Sequence, residues 1–304
     1  MLQTAGPAKS RSFLLLVGAL FLAHSSIGLA EDAAPDSVQG SSADERGSKD
    51  SWGWTVGMTP FQLALLNPLQ IFSPETPVRG LRINVLSGEQ ESVWGLDVGL
   101  AQRTTSDMRG LQLGLVNLNK DFWGVQQGLV NWSDGDFSGI QSSYIASRVG
   151  GNFTGLQMGI FANVVGGSLD GVQLSPISWN VISGSLNGVQ LGGINWVDGV
   201  FSGFQLAPIT NRVAGDFAGL QIGAFANVVG GSFAGVQLGA LNFVEEDLTG
   251  VQLGFVNSVR GDSRSFQLGF WNQAESLKGL QIGLINVNSA RSDLLFIPIV
   301  NVGW

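Results

Sequence analysis

"GVQLGALNFVEEDLTGVQLGFVN", residues 235–257, carries the phrase G-V-Q-L-G-x-x-N twice, from Gly235 and again from Gly250. An uncharged Gln recurring between two glycines decides what fold this chain can adopt. Aligned on that residue, copies fall at Gln112, Gln126, Gln141, Gln157, Gln173, Gln190, Gln205, Gln221, Gln237, Gln252, Gln267 and Gln281, at spacings of 14 to 17 residues. Eleven of the twelve follow Gly plus an apolar residue, and Gln267 follows Ser265-Phe266. Two weaker copies precede them with Arg82 and Asp97 in the Gln place, and Phe61–Asn67 supplies another at Gln62. At the far end "LFIPIVN" keeps the spacing, with Phe296 where Gln belongs and Asn301 where Asn belongs, making about sixteen units. Self-similarity at a short period means a repeat architecture.

Numbering each unit from its Gln as zero, position −1 is always apolar and +1 usually so, with Gln127 and Ser142 as exceptions. Position +4 is apolar throughout (Val116, Phe161, Ile209, Phe225), and −4 is nearly always Phe or Leu. The pattern around the Gln alternates like a strand, and Gly at −2 and +2 would weaken a helix. A straight strand puts +1 and +4 on opposite faces, so a bend between them is expected. Gly at +2 fits such a bend, as do Pro176 and Pro208 at +3, because proline cannot donate to a ladder.

Two all-β architectures fit. In a β-solenoid of about sixteen 14–17-residue coils, positions −4, −1, +1 and +4 point inward. Equivalent residues then stack about 4.8 Å apart, and each Gln amide hydrogen-bonds to the next. In a 16-stranded antiparallel outer-membrane β-barrel, the even unit count, an export signal and the closing "PIVNVGW" are all natural. The barrel would place the +4 residues in its lumen and Pro176 and Pro208 mid-span, which favours the solenoid.

Residues 1–30 read as a signal peptide. Lys9 and Arg11 form its basic start, Phe13–Ala23 its apolar stretch, and Gly28 and Ala30 its small-residue end, for a mature start at Glu31. The apolar stretch is shorter than the roughly 20 residues of a spanning helix. No later segment could span as a helix, because Gly, Gln and Asn interrupt every apolar run. Residues 31–50 are small, polar and acidic and read as a flexible linker, leaving 51–304 as one repeat domain.

The G-apolar-Q-apolar-G-x-x-N unit, over roughly residues 60–304, resembles that of bacterial surface-repeat proteins, best known from spirochaetes and also seen in other diderm lineages. The resemblance implies an exported, envelope- or surface-associated protein at the outer membrane or cell surface. It implies no catalytic activity.

Composition narrows the chemistry further. A formal net charge of −8 and no basic stripe argue against a nucleic-acid partner. The chain lacks Cys, and its single His, His24, lies in the signal segment, so triads and thiolate or imidazole metal sites are excluded from the mature chain. Carboxylates remain, and paired acids suffice for glycoside cleavage. The candidates are Asp134 with Asp136, and Glu245, Glu246 and Asp247. They are dispersed among units and read better as solvated turn residues. Calcium at Glu245–Asp247 lacks the glycine-aspartate nonapeptide of calcium-binding rolls. "RGDS" at Arg260–Ser263 matches an integrin-binding tripeptide but equally the composition of these turns, and the sequons at Asn131 and Asn152 fall on repeat or turn positions. Trp132, Trp179, Trp196 and Trp271 read as corner packing more than as an interfacial belt. The expected protein has no catalytic, cofactor or metal site. It is a structural or binding repeat protein whose low-charge ladder faces meet an envelope component, a host or matrix ligand, or a membrane. The alternative is a pore or scaffold built as the barrel.

Overall fold

The computed structural model describes residues 57–290 and 296–304, and every regular element among them is a β-strand. The signal segment, the acidic linker and residues 51–56 lie outside the described residues.

The chain winds into stacked rungs of two strands each. A longer strand carries the Gln (Phe217–Gly223) and a shorter one the Asn (Ala226–Val229). Residues 224–225 bend the chain between them, and a Gly-Gly-Ser turn at 230–232 leads to the next rung. Every strand lies parallel to its counterpart one rung on, like residue against like: Phe217 with Phe233, Gly219 with Gly235, Gln221 with Gln237, Asn227 with Asn242. Parallel neighbours need a returning connection, and here the second strand of each rung provides it. The fold is therefore a β-solenoid. Among the described residues antiparallel pairs occur only at its ends, where Leu69–Gln70 folds back on Thr59–Leu66 and Ile297–Gly303 on Ser276–Asn288. An up-and-down barrel requires antiparallel pairing throughout, so the barrel alternative is overturned.

About fifteen turns stack in this way, from the one bearing Gln62 to the one bearing Gln281. At a strand spacing of about 4.8 Å they extend roughly 67 Å along the axis. The sixteenth unit does not continue the stack. Ile297–Gly303 runs antiparallel, so that Asn301 rather than Phe296 faces Gln281. A phenyl ring cannot receive or pass on an amide hydrogen bond. By reversing, the chain presents an amide there and closes the last rung.

The interior differs from the expected one. Residues at −4 and 0, the Asn, and the residue two past it are buried, whereas −1, +1 and +4 face outward. None of the twelve residues at +4 is buried. The reason is the strand's period of two. Positions −4 and −1 are three residues apart and cannot share a face of one unbroken strand. Once Phe217 turns inward, Gln221 must follow and Leu220 must turn out. The bend after +2 is real, but it leaves both +1 and +4 outside.

Glycine at −2 makes the stacking close enough. Its φ lies between +128° and +149° in thirteen rungs, a region only glycine occupies readily. A Cβ on Gly219 would stand 1.9 Å from the carbonyl oxygen of Gly203 in the rung before. The rung of Gln267 shows what happens without this glycine. Ser265 is buried there, and position −4 shrinks to Ser263, whose hydroxyl bonds to that of Ser265. The expected role of proline at a corner also holds. Pro208 is exposed at the bend between Phe201–Ala207 and Thr210–Val213, and Pro176 lies where the register slips, Ser175 pairing with Gly192 but Trp179 with Ile194.

Each rung's interior is thus divided. Next to the Gly-rich turn it is apolar, with the −4 column facing Val149, Val165, Ile182, Val197, Val213 and Val229. Phe122 and Phe137 stack there at 4.7 Å with planes 4° apart, a spacing set by the strand repeat. Next to the bend it is polar, filled by Gln and Asn.

Candidate functional surface: amide ladders inside, an uncharged edge outside

All twelve Gln side chains of the repeat are fully buried. From Gln126 to Gln281 each Nε2 donates to the Oε1 of the Gln one rung earlier, across 2.6 to 2.9 Å. The column starts on an anion, for Gln112 Nε2 donates to Asp97 Oδ2 at 2.9 Å. It ends on a donor, Asn301 Nδ2 to Gln281 Oε1 at 2.7 Å. Asp97 is held by Arg82, which bonds its carboxylate through Nε at 2.8 Å and Nη2 at 2.5 Å, both side chains being fully buried. The two departures from Gln that the repeat shows at its start are therefore one bidentate ion pair.

The Asn column runs the other way. Asn163, Asn180, Asn195 and Asn211 each donate Nδ2 to the Asn of the next rung at 2.9 to 3.1 Å, and so on to Asn286. Each Nδ2 also reaches the backbone carbonyl at +1 of that next rung, as Asn163 does with Leu174, which fixes the amide's orientation. Aligned amide dipoles add along a column. The Gln column has its positive end at Asp97 and the Asn column has its positive end at the opposite terminus, so the two largely cancel.

The Asn column has a gap in the unit of Gln141. Ser147 stands in the Asn place and bonds to Ser143 instead. Asn163 Oδ1, the next acceptor, is buried with no donor. Ser143 replaces the glycine usual at +2, where a Cβ crowds the Asn: one on Gly159 would lie 2.4 Å from Asn163 Oδ1. Converting both residues, Ser143→Gly with Ser147→Asn, is expected to join the two ladder segments and raise stability by about 1–3 kcal/mol, the usual cost of an orphaned buried acceptor. Urea denaturation of the double variant against Ser147→Asn alone checks this; the single change should gain less, since Ser143 still crowds the site.

Burying the ladders removes them as a working surface, contrary to the sequence expectation. The outside is built from the −1, +1 and +4 columns, whose apolar character points to a core. From −1 to the Asn place, no residue of the twelve successive units bears a charge. The bend itself forms an apolar ridge along the axis, in which Phe161, Ile177, Ile209, Phe225, Phe255 and Leu284 are 51% to 65% exposed. Beside it near the C-terminal end runs a shallow groove of about 540 Å³, lined by Leu253, Leu268, Ile282 and Ile299 and walled by Phe270 and Leu284. In these units charges sit only at −5 to −3 and beyond the Asn, most of them at the turns of the opposite edge.

The acids considered for chemistry lie on that charged edge, and each is engaged in turn structure. Asp136 Oδ1 accepts from the Asn152 amide at 2.7 Å, and Asp134 Oδ1 from Trp132 Nε1 at 2.7 Å. Glu245 pairs with Arg260, Glu246 Oε2 accepts from the Ser232 hydroxyl at 3.2 Å, and Asp247 Oδ1 accepts from the Asp262 amide at 2.8 Å. Arg260 and Asp262 of the RGD tripeptide are thus part of the same rung-to-rung ties. Among the described residues no group of three His, Cys, Asp or Glu is arranged to hold a metal. Trp132 and Trp196 lie on the outer side of the second strand, each under an arginine of the next rung, Arg148 at 4.4 Å and Arg212 at 4.6 Å. Comparison with family models, curated proteins and solved structures returns no match.

Proposed function

We propose that the chain is an exported, non-enzymatic structural or binding protein of a diderm bacterial envelope, working through its outer columns. One observation carries this reading: an uncharged, largely apolar strip follows the whole stack of twelve units, while the Gln and Asn side chains are engaged in internal ladders and the acids singled out in the sequence take part in turn ties. A continuous surface of that length suits contact with another extended surface. It gives a small substrate no enclosed pocket of convergent polar groups, the usual form of such a site. The signal-like residues 1–30 and the resemblance of the repeat to bacterial surface-repeat proteins support the location.

Envelope fractionation of the native cells, with and without an alkaline carbonate wash, tests the assignment. The protein is expected in the envelope or surface fraction and to be released by carbonate without detergent. Recovery from the cytosol would refute the export reading, and resistance to everything but detergent would point to an integral protein.

A further inference from the structure

The apolar ridge and its neighbouring columns need an occupant, and the geometry points to a second copy of this chain: we propose that two solenoids pair edge to edge along the uncharged strip. The inference does not depend on the export reading.

Size is the first argument. Twelve rungs at about 4.8 Å give a strip nearly 60 Å long, and the five residues from −1 to the bend make it about 15 Å wide. Pairing would bury on the order of 850 Å² per copy, close to the ~800 Å² per partner of a stable interface. A strip this large also exceeds the ~300–600 Å² of the largest apolar patch on an ordinary monomer. Electrostatics is the second argument. The formal net charge is −8, and within the twelve units no charge falls between −1 and the Asn, so contact along the strip joins uncharged residues and keeps the acidic turns far apart. A lipid surface fits less well, because docking an apolar face on a bilayer ordinarily draws on flanking Lys and Arg, and twelve units of strip are flanked only by Arg109, Arg264 and Lys278 at −3, beside Asp170, and by Arg148 and Arg212 on the second strand. Shape is the third. The ridge of Phe270 and Leu284 stands beside the groove of Leu253, Leu268 and Ile282 in the same rungs, so a two-fold axis parallel to the stack sets each copy's ridge against the other's groove. Such an isologous contact closes on itself and yields a dimer rather than a fibre.

The test is sedimentation equilibrium of the full chain at micromolar concentration, in low and high salt. The expected mass is twice that of one chain, with little salt dependence. Phe225→Glu with Phe255→Glu, both at exposed positions, should give a monomer with an unchanged strand spectrum and denaturation midpoint, whereas Asp216→Lys on the charged edge should remain dimeric. Because the chain contains no Cys, Leu206→Cys on the groove side and Ile209→Cys on the ridge of the same rung supply a second measurement. Mixed, these two variants should cross-link to each other under oxidation, and neither should cross-link to Asp216→Cys. A monomeric wild type, a dimer unaffected by the two Glu substitutions, or a failure of the Leu206→Cys and Ile209→Cys chains to cross-link would overturn the proposal. Binding of monomer to phosphatidylcholine vesicles that the Glu variants abolish would also overturn it, in favour of a lipid partner.

Discussion

Alanine at Gly219 will destabilise the solenoid by on the order of 4 kcal/mol, at the upper end of what one methyl group can do. Two effects combine at that position. The backbone sits at φ +141°, where a side chain is strained, and the new Cβ would stand 1.9 Å from the Gly203 carbonyl oxygen. The oxygen belongs to the backbone of the preceding rung and cannot swing aside. Relief requires the two rungs to separate, which stretches the ladders at Gln205–Gln221 and Asn211–Asn227 together. Ala218→Ser, one residue away and exposed, should change stability by less than about 0.5 kcal/mol. Guanidinium unfolding of both variants checks the contrast. Equal midpoints would mean that the rungs are not packed this closely.

The second large effect lies at the start of the Gln column. Asp97→Leu is expected to cost about 3–5 kcal/mol, because it leaves the buried Arg82 guanidinium without its counter-charge. It also strips the acceptor from Gln112 and Asn84. Replacing both members, Arg82→Gln with Asp97→Gln, extends the ordinary ladder through these rungs and should restore wild-type stability or exceed it, as buried ion pairs often tolerate joint replacement. Thermal denaturation of the single and double variants measures the difference. A double variant as unstable as the single one would show that the pair does more than balance itself.

Much of this fold was legible in the residues. The recurring Gln implied rung-to-rung amide bonding, the glycines implied close backbone approach, and the proline positions implied a bend. Which face is inside is not legible from apolar character, because strand parity decides it. Phe217 and Leu220 are both apolar, yet only one can share a face with Gln221. Buried amides are tolerated here because each meets a partner at a fixed repeat, a condition no single rung reveals. The partnership of Arg82 with Asp97 was hidden for a related reason. Both looked like degenerate copies of the Gln, whereas they are neighbours in one column. The reversed final strand was equally hidden, since spacing records where Asn301 lies along the chain but not the direction of travel. The candidate surface was visible as an uncharged stretch in each unit, and only the inverted interior turned it into an outer edge.

The uniform orientation of the Gln amides has a further consequence for how such a protein can change in length. In the Gln column every internal rung offers an acceptor on one side and a donor on the other, so a rung of the common pattern can follow another. Duplicating or deleting a whole unit between Gln205 and Gln221 would leave each remaining amide facing the kind of group it faces now. Within that column only the ends, with Asp97 at one and Asn301 at the other, are specific to their places. Rod length is therefore open to selection as a quantity in its own right, adjustable by slippage between near-identical coding segments and without redesign of the joints.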